Sequence, residues 1–268
     1  MASRAANTAS MPVGVMDSGI GGLTVWKEIV RQLPNVDTLY IADNANCPYG
    51  TKSVDEITVL ADAVAGRLAD AGCKAIVVAC NTATAAAIDM LREKYPVPFI
   101  GMEPAVKPAA LQSKSGVIGV LATAGTLHGR LFRETSAKFA GGVKTIVREA
   151  SGWVELVESG DWESEAAYSL VKYHIEPLVA AGADYIVLGC THFPFLGKLI
   201  ARAAGPGVMI LDPASAVAGQ LCRILQSASL VNPGNKLGKH RFIATGSDVN
   251  LLRLAGQFAP ESPGVCSG

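Results

Sequence analysis

Two cysteines stand directly after apolar runs and are followed by polar residues. Residues 75–79 read Ala-Ile-Val-Val-Ala and lead into Cys80-Asn-Thr. Residues 186–189 read Ile-Val-Leu-Gly and lead into Cys190-Thr-His. Short apolar runs that end in turn residues are typical of buried strands, and open α/β sheets bind ligands beyond the carboxyl ends of their strands. The sequence therefore predicts two strands that each deliver a thiol into a ligand site.

Two thiols that face each other across a substrate can invert a stereocentre. The reference pKa of a thiol is about 8.5, and a helix N-terminus favours the thiolate. One thiolate removes a proton from one face of a carbon while the other thiol gives a proton to the opposite face, without any redox change. His192 lies two residues after Cys190, and Asp17 follows a separate predicted strand. We expect both to tune or relay protons for the nearer thiol.

Strands and helices alternate along the chain. A predicted strand leads into the glycine-rich loop Asp17-Ser-Gly-Ile-Gly-Gly22 and then into a helical pattern, which is the opening of a βα unit. Asp17 and Cys80 are 63 positions apart, and Thr123 and Cys190 are 67 apart. The pattern predicts an α/β fold of two similar parallel-sheet lobes related by a pseudo-twofold axis, with the active site in the cleft between them.

The two lobes are predicted to share the chain unequally. Residues 1–102 together with 213–268 are expected to form the first lobe, and residues 103–212 the second. Further local predictions are a disordered lead-in over residues 1–10, a helix over 127–139, a helix over 163–181 broken by Pro177, and a frayed Gly/Pro/Ser-rich tail from Pro260.

Composition excludes several classes of protein. Half of the 268 residues are apolar, which favours a folded chain, and 23 Lys and Arg balance 23 Asp and Glu, which argues against a nucleic-acid partner. Apolar runs stay below the roughly 18–20 residues of a membrane span, and the first ten residues lack a signal-like apolar core, so we expect a cytoplasmic location.

The six cysteines form no Cys-x-x-Cys pair, so a structural metal site is not expected. The cysteines other than Cys80 and Cys190 are interpreted as core residues: Cys47, Cys73, Cys222 and Cys266.

Several short motifs together resemble those of glutamate racemase, in the aspartate/glutamate racemase family. The motifs occur in order over most of the chain, so together they are a specific signal for this family. The glycine loop alone would be a weak signal. The motifs are Asp17-Ser-Gly-Ile-Gly-Gly22, Pro48-Tyr-Gly50, Cys80-Asn-Thr-Ala83, Glu103-Pro104, Gly189-Cys-Thr-His-Phe-Pro194, Asp212-Pro-Ala214 and Thr245-Gly246.

The resemblance implies a cofactor-independent isomerase that interconverts L- and D-glutamate for peptidoglycan synthesis, and so for cell wall biogenesis and cell shape. It also implies a homodimer whose ligand is glutamate, with no metal, nucleic acid or membrane partner. Cys80 then takes the proton from D-glutamate and Cys190 takes it from L-glutamate, with Asp17 and His192 assisting. The substrate-binding residues implied are Asp17, Ser18, Tyr49, Gly50, Asn81, Thr82, Thr191 and His192.

One segment departs from the family pattern. Many members carry Cys-Pro ahead of a Val-Glu-x-Gly segment, whereas residues 151–160 read Ser-Gly-Trp-Val-Glu-Leu-Val-Glu-Ser-Gly. Glu158 falls where the family has a glutamate near the site, but the sequence assigns it no role, and a solvated helix residue is an equal interpretation.

Three alternatives remain open on the sequence. An aspartate or hydantoin racemase of the same superfamily is the nearest, although Cys-Thr-His favours glutamate because related aspartate enzymes tend to carry an acid at the histidine position. A two-lobed solute receptor explains a cleft but not the paired cysteines. A Cys/His hydrolase using Cys190 and His192 leaves Cys80 without a role.

Overall fold

The computed structural model describes residues 9–127, 129, 134, 142–231, 236–258 and 265–267. The strands are β1 Val13–Asp17, β2 Thr38–Ala42, β3 Ala75–Val78, β4 Phe99–Gly101, β5 Val117–Ala122, β6 Lys144–Glu149, β7 Tyr185–Gly189, β8 Met209–Leu211, β9 His240–Ala244 and β10 Val265–Ser267. The helices are α1 Leu23–Gln32, α2 Val54–Asp70, α3 Asn81–Lys94, α4 Val106–Gln112, α5 Ala124–Leu127, α6 Trp153–Ser159, α7 Glu165–Ala180, α8 Gly197–Ala204, α9 Ala214–Ser227 and α10 Val249–Phe258.

The strands form two parallel sheets that share one pattern. The first sheet has the order β10-β9-β2-β1-β3-β4 and the second the order β6-β5-β7-β8. Four neighbouring strands of the first sheet, β2-β1-β3-β4, therefore repeat the order of the whole second sheet. The predicted α/β class with two similar parallel sheets is confirmed, with β9 and β10 added at one edge of the first. The residue limits proposed for the two lobes stay a prediction.

The central strands of the first sheet are buried at every position, from β1 through β2 to β3. Continuous apolar runs of this kind are typical of parallel strands that helices cover on both faces. Helices α2 and α3 cover one face, and α1, which packs against α9, covers the other. Trp26 of α1 belongs to a core cluster that continues through Leu121 and Ile186 of the second sheet. One apolar core thus joins the two sheets.

The functional loops lie where the strand order reverses. From β1 the chain moves to one side to form β2, and then crosses to the other side to form β3. This reversal opens a crevice at the carboxyl ends of β1 and β3, where Asp17 and Cys80 stand. The equivalent ends of β5 and β7 carry Thr123 and Cys190.

Three local predictions differ from the structure. Helix α7 runs through Pro177 to Ala180 instead of breaking, because the burial of Ile175 and Leu178 on the same helix offsets the cost of about 3 kcal/mol that proline brings to a helix interior. The tail from Pro260 is not frayed throughout. Val265–Ser267 pairs in parallel with β9, and this pairing satisfies backbone hydrogen-bonding groups at the edge of that strand. Helix α4 was missed, because its seven residues are too few for a clear periodic pattern.

Two other predictions concern segments that the structure covers only in part. The helix predicted over residues 127–139 lies largely outside the described residues, as do residues 1–8 of the lead-in. Ala9, at the described end of the lead-in, is buried, and its carbonyl accepts a hydrogen bond from Lys74. Within the described ranges, every helix is too short or too polar to cross a membrane.

Candidate active site

Asp17 is the last residue of β1 and is buried beneath the glycine-rich loop. Its Oδ2 accepts hydrogen bonds from the backbone N–H groups of Gly19 at 3.1 Å and Gly22 at 3.0 Å, and its Oδ1 accepts one from Thr191 Oγ1 at 3.4 Å. Burial raises the pKa of Asp17 to about 6, against the opposing charge of His192. The carboxylate therefore organises its own loop and links it to the segment after β7.

Cys80 follows β3 and caps the N-terminus of α3. Its Sγ accepts a hydrogen bond from the backbone N–H of Ala83 at 3.4 Å and lies 3.7 Å from Ser18 Oγ, to which it donates. The sequence predicted that the helix N-terminus would favour a thiolate here. The structure overturns this, because burial, reinforced by the charge of Asp17, raises the pKa of Cys80 to about 12. Desolvation outweighs the helix end, so Cys80 is a neutral thiol at pH 7.

Cys190 follows β7 and stands beside a charged pair. His192 Nδ1 lies 3.8 Å from Cys190 Sγ, and His192 Nε2 lies 2.6 Å from Glu158 Oε1. Burial lowers the pKa of His192, but hydrogen bonds to Cys190, Cys47 and Glu158 outweigh it and hold this pKa well above its ordinary value. The pair is therefore an imidazolium and a carboxylate, and the imidazolium faces the Cys190 sulfur.

Glu158 is the residue that the sequence left without a role. It lies on α6 among the buried Val154 and Val157, and its carboxylate accepts hydrogen bonds from His192 and from the backbone N–H of Ile20 at 2.8 Å. Burial acts to raise its pKa, but the hydrogen bond and charge of His192 prevail and lower it. The sequence held only a weak signal that Glu158 is partly buried. Glu158 follows Val154 by one turn of α6, so the two side chains lie on the same face of the helix.

Cys47 is also closer to the site than the sequence predicted. It was interpreted as a core residue, yet its Sγ belongs to a compact group with a carboxylate oxygen of Glu158 and a ring nitrogen of His192. Burial raises the pKa of Cys47. No motif signalled this contact, because the loop that carries Cys47 comes together with α6 only in the folded chain.

The predicted binding residues surround the two thiols with polar atoms. Asn81 is buried, and neither its Oδ1 nor its Nδ2 has a hydrogen-bond partner among the described residues. Thr82 Oγ1 lies 2.9 Å from Thr123 Oγ1, which joins the two sheets. An unpartnered buried amide is costly, so Asn81 is ready to bind a polar ligand.

Tyr49 lines the site, and its hydroxyl is engaged by Asp43. The hydroxyl donates to Asp43 Oδ2 at 2.6 Å, and Asp43 Oδ1 accepts a further hydrogen bond from Thr245 Oγ1 at 2.7 Å. Asp43 was not singled out in the sequence. It fixes the loop that carries Tyr49 against the segment after β9.

One narrow cavity contains both thiols. Its lining includes nine of the ten predicted site residues, all but Asp17: Ser18, Tyr49, Gly50, Cys80, Asn81, Thr82, Cys190, Thr191 and His192. Its volume is only about 10 Å³, close to the room for a single water molecule, so a larger ligand requires its walls to move apart. A cavity of about 580 Å³ lies elsewhere, but its described lining holds neither cysteine nor histidine.

A sequence profile of the family described as Asp/Glu/hydantoin racemase matches residues 13–221. The chain belongs to this racemase family. Among its relatives, a glutamate racemase of Pseudomonas putida is 49% identical over 245 residues, covering 91% of this chain and 92% of that protein.

Solved racemase structures share the whole fold. Escherichia coli glutamate racemase, in complex with L-glutamate and the activator UDP-MurNAc-Ala, has a TM-score of 0.81 and 30% identity, covering 94% of this chain and 97% of that one. Francisella tularensis glutamate racemase, in complex with D-glutamate, has a TM-score of 0.82 and 29% identity, covering 97% and 96%.

The two sulfurs of this cavity have different neighbours. Cys80 is a neutral thiol beside a hydroxyl and a helix N-terminus, whereas Cys190 lies beside the ring of His192.

Proposed function

We propose that the chain interconverts L- and D-glutamate by proton transfer between its α-carbon and the thiols of Cys80 and Cys190, with no cofactor. The observation that carries the proposal is the single cavity lined by both sulfurs, which come from equivalent strand ends of two sheets. Similarity to glutamate racemases, one 49% identical and two solved with opposite enantiomers, supports glutamate as the substrate.

The reaction begins with L-glutamate bound between the two sulfurs. The thiolate of Cys190 takes the α-proton as the C–H bond breaks, while the imidazolium of His192 stabilises the thiolate before transfer. The thiol of Cys80 then gives its proton to the opposite face of the same carbon. D-glutamate results, Cys190 is a thiol and Cys80 a thiolate, and the reverse reaction uses the same groups in opposite order.

Substrate binding is assigned to the polar atoms between the sulfurs. Asn81 offers an amide with a free donor and a free acceptor, and the hydroxyls of Ser18, Thr82 and Thr191 are placed to meet carboxylate or ammonium groups. Asp17 and His192 assist the thiols on their own sides of the cavity. Because the cavity is small, glutamate enters only when the two sheets separate, and closure around it then excludes water.

The cellular setting follows from this activity. D-glutamate is a constituent of peptidoglycan, so the enzyme is proposed to serve cell wall synthesis and cell shape from the cytoplasm. A homodimer is the proposed assembly.

Separate Cys80→Ala and Cys190→Ala variants test the two-thiol reaction. Each is expected to lower racemisation of glutamate by at least a factor of about 10³, because each removes one of two obligatory proton carriers. The assay follows loss of optical rotation without added nicotinamide, pyridoxal phosphate or metal. In D₂O, the product of the unmodified protein is expected to carry deuterium at its α-carbon.

Matched controls separate this proposal from its rivals. Cys222→Ala removes a half-buried thiol on α9 and is expected to keep racemisation within twofold. Inversion that survives Cys80→Ala contradicts the two-thiol reaction, and hydrolysis lost only with Cys190 indicates a hydrolase. Faster turnover of aspartate than of glutamate under the same conditions refutes the proposed substrate.

A further inference from the structure

Three different metal-ligand types meet beside the active-site cavity. One ligand atom each from Cys47, Glu158 and His192 lies within 4.8 Å of the other two, and this is the one such group of three found within the described ranges. Sulfur, carboxylate oxygen and imidazole nitrogen are the three ligand types that Zn²⁺ takes from proteins, and a catalytic or open site uses three protein ligands and one water.

The loop after β1 packs directly against this group. A Cβ on Gly19 would lie 1.9 Å from Glu158 Oε1 and 3.2 Å from Cys47 Sγ, so a glycine at this position lets both side chains approach the loop. His192 Nε2 and Glu158 Oε1 are now 2.6 Å apart, whereas tetrahedral zinc holds nitrogen and oxygen ligands roughly 3.3 Å apart. The Glu158 side chain is 22% exposed and can move by that difference.

We infer that Cys47, Glu158 and His192 form a binding site for a thiophilic divalent cation, with Zn²⁺ as the best match. The ion takes the place of the proton between His192 and Glu158, and the thiol proton of Cys47 also leaves, so one Zn²⁺ enters as two protons depart. The bound set of thiolate, carboxylate, neutral imidazole and Zn²⁺ carries no net charge. It is therefore tolerable at a partly buried position.

An ion at this site inhibits the racemase. His192 uses Nδ1 toward Cys190 at 3.8 Å and Nε2 toward Glu158. A metal on Nε2 replaces the hydrogen bond to Glu158 and fixes the ring, so Nδ1 can no longer adjust its position toward the Cys190 sulfur. This consequence rests on the proposed function, whereas metal binding itself does not.

Cobalt binding tests the site independently of catalysis. CoCl₂ is titrated into the metal-free double variant Cys80→Ala/Cys190→Ala, which retains Cys47 as its thiol near His192. A thiolate-to-cobalt charge-transfer absorption is expected at one ion per chain, and adding Cys47→Ala is expected to abolish it. Circular dichroism of each variant verifies folding, and Cys47→Ser provides a second replacement. Absence of the band in the folded double variant, or its persistence without Cys47, overturns the inference.

Inhibition by ZnCl₂ tests the consequence. Each variant is compared with its own metal-free rate, and a chelator is expected to restore activity. Cys47→Ala is expected to raise the half-inhibitory zinc concentration by at least about 10–100-fold, since it removes a direct ligand. Cys222→Ala is expected to leave it unchanged. Equal zinc sensitivity of the Cys47→Ala protein shows that zinc acts on the catalytic thiols instead and overturns the inhibitory role. Cobalt binding by a protein that does not racemise glutamate refutes the proposed function but not the metal site.

Discussion

The two sides of the cavity share a topology but differ in electrostatics. Cys80 and Cys190 each follow the third strand of a four-strand unit with the same order. Cys80 has a hydroxyl and a backbone N–H as partners, whereas Cys190 has an imidazolium that a partly buried carboxylate holds in place. The repeated fold thus places the two sulfurs at matched positions, and the neighbouring loops give them different electrostatic surroundings.

This difference has a direct consequence for the proposed reaction. Two thiols in the same state cannot exchange a proton through one carbon, because one must give while the other takes. Burial keeps the proton on Cys80, and the charged His192–Glu158 pair faces Cys190. In the proposed reaction from L-glutamate, Cys80 is therefore the proton donor, and each side can be tested by removing its own partner.

Among the residues that flank the two thiols, His192 is expected to have the largest effect when it is replaced. His192→Asn deletes the cation beside Cys190 and is expected to lower kcat by about 10²-fold or more, whereas Ser18→Ala, its counterpart on the Cys80 side, is expected to cost less than tenfold. Steady-state kinetics in both directions provide the measurement. Equal losses in the two variants would contradict the proposed asymmetry.

Asp17→Asn is expected to stabilise the fold while lowering activity. The pKa of Asp17 is raised from 3.8 to about 6, so the carboxylate destabilises the folded state as the pH rises from about 4 to about 6, by up to about 3 kcal/mol. The variant should gain that free energy of unfolding at pH 8 and lose the gain below pH 4. Urea unfolding at the two pH values measures it.

Asp184→Asn is the control, because its expected effect on the free energy of unfolding at pH 8 has the opposite sign. Despite some burial, hydrogen bonds from Ser113, Ser115 and Lys114 lower the pKa of Asp184 to about 2. Its replacement is expected to destabilise the protein at pH 8. A destabilised Asp17→Asn protein at pH 8 would show that its hydrogen bonds outweigh its burial.

Glu158→Gln is expected to act through His192. Loss of the carboxylate lowers the pKa of His192, so the alkaline decline of kcat/KM should move to lower pH, with about a tenfold loss at pH 8. Glu158→Asp is expected to restore part of the activity and of the profile. A uniform loss without any movement of the profile would indicate a purely structural role.

Gly125→Ala is expected to have the smallest effect. Its new Cβ would lie 2.8 Å from Thr82 Cγ2, between α5 and α3, so closure should be incomplete and kcat should fall a few-fold. Gly197→Ala adds a methyl group where nothing lies within 4 Å and provides the control. If both variants keep full activity, the close approach of α5 to α3 at Gly125 does not limit the reaction.

The sequence predicted most of the framework because its signals are local. Residues 53–56 read Ser-Val-Asp-Glu, a pattern typical of a capping box, and the box is present: Ser53 Oγ accepts a hydrogen bond from the backbone N–H of Glu56, and the Glu56 carboxylate accepts one from the backbone N–H of Ser53 at 2.9 Å. The apolar runs before Cys80 and Cys190 are strands β3 and β7. Helix α4 and the continuation through Pro177 were missed, because short length and a favourable buried face override local propensity.

The partners of the thiols could not be predicted in the same way. Glu158 is 34 residues from His192 and 138 from Ile20 along the chain, yet it bonds to both. Cys47 looked like an ordinary core cysteine because its contacts also come from another part of the chain. Contacts of this kind depend on how α6 packs against the loop after β1, which no local pattern records.

By itself the sequence determined where the strands that carry the site form and end, and that both thiols follow equivalent strands, since hydrophobic periodicity and turn residues act over a few positions. Only the tertiary structure decided that Cys80 keeps its proton, that a His192–Glu158 pair faces Cys190, and that Cys47 joins it. The protonation of a buried group depends on the solvent it loses and the charges that distant segments bring to it.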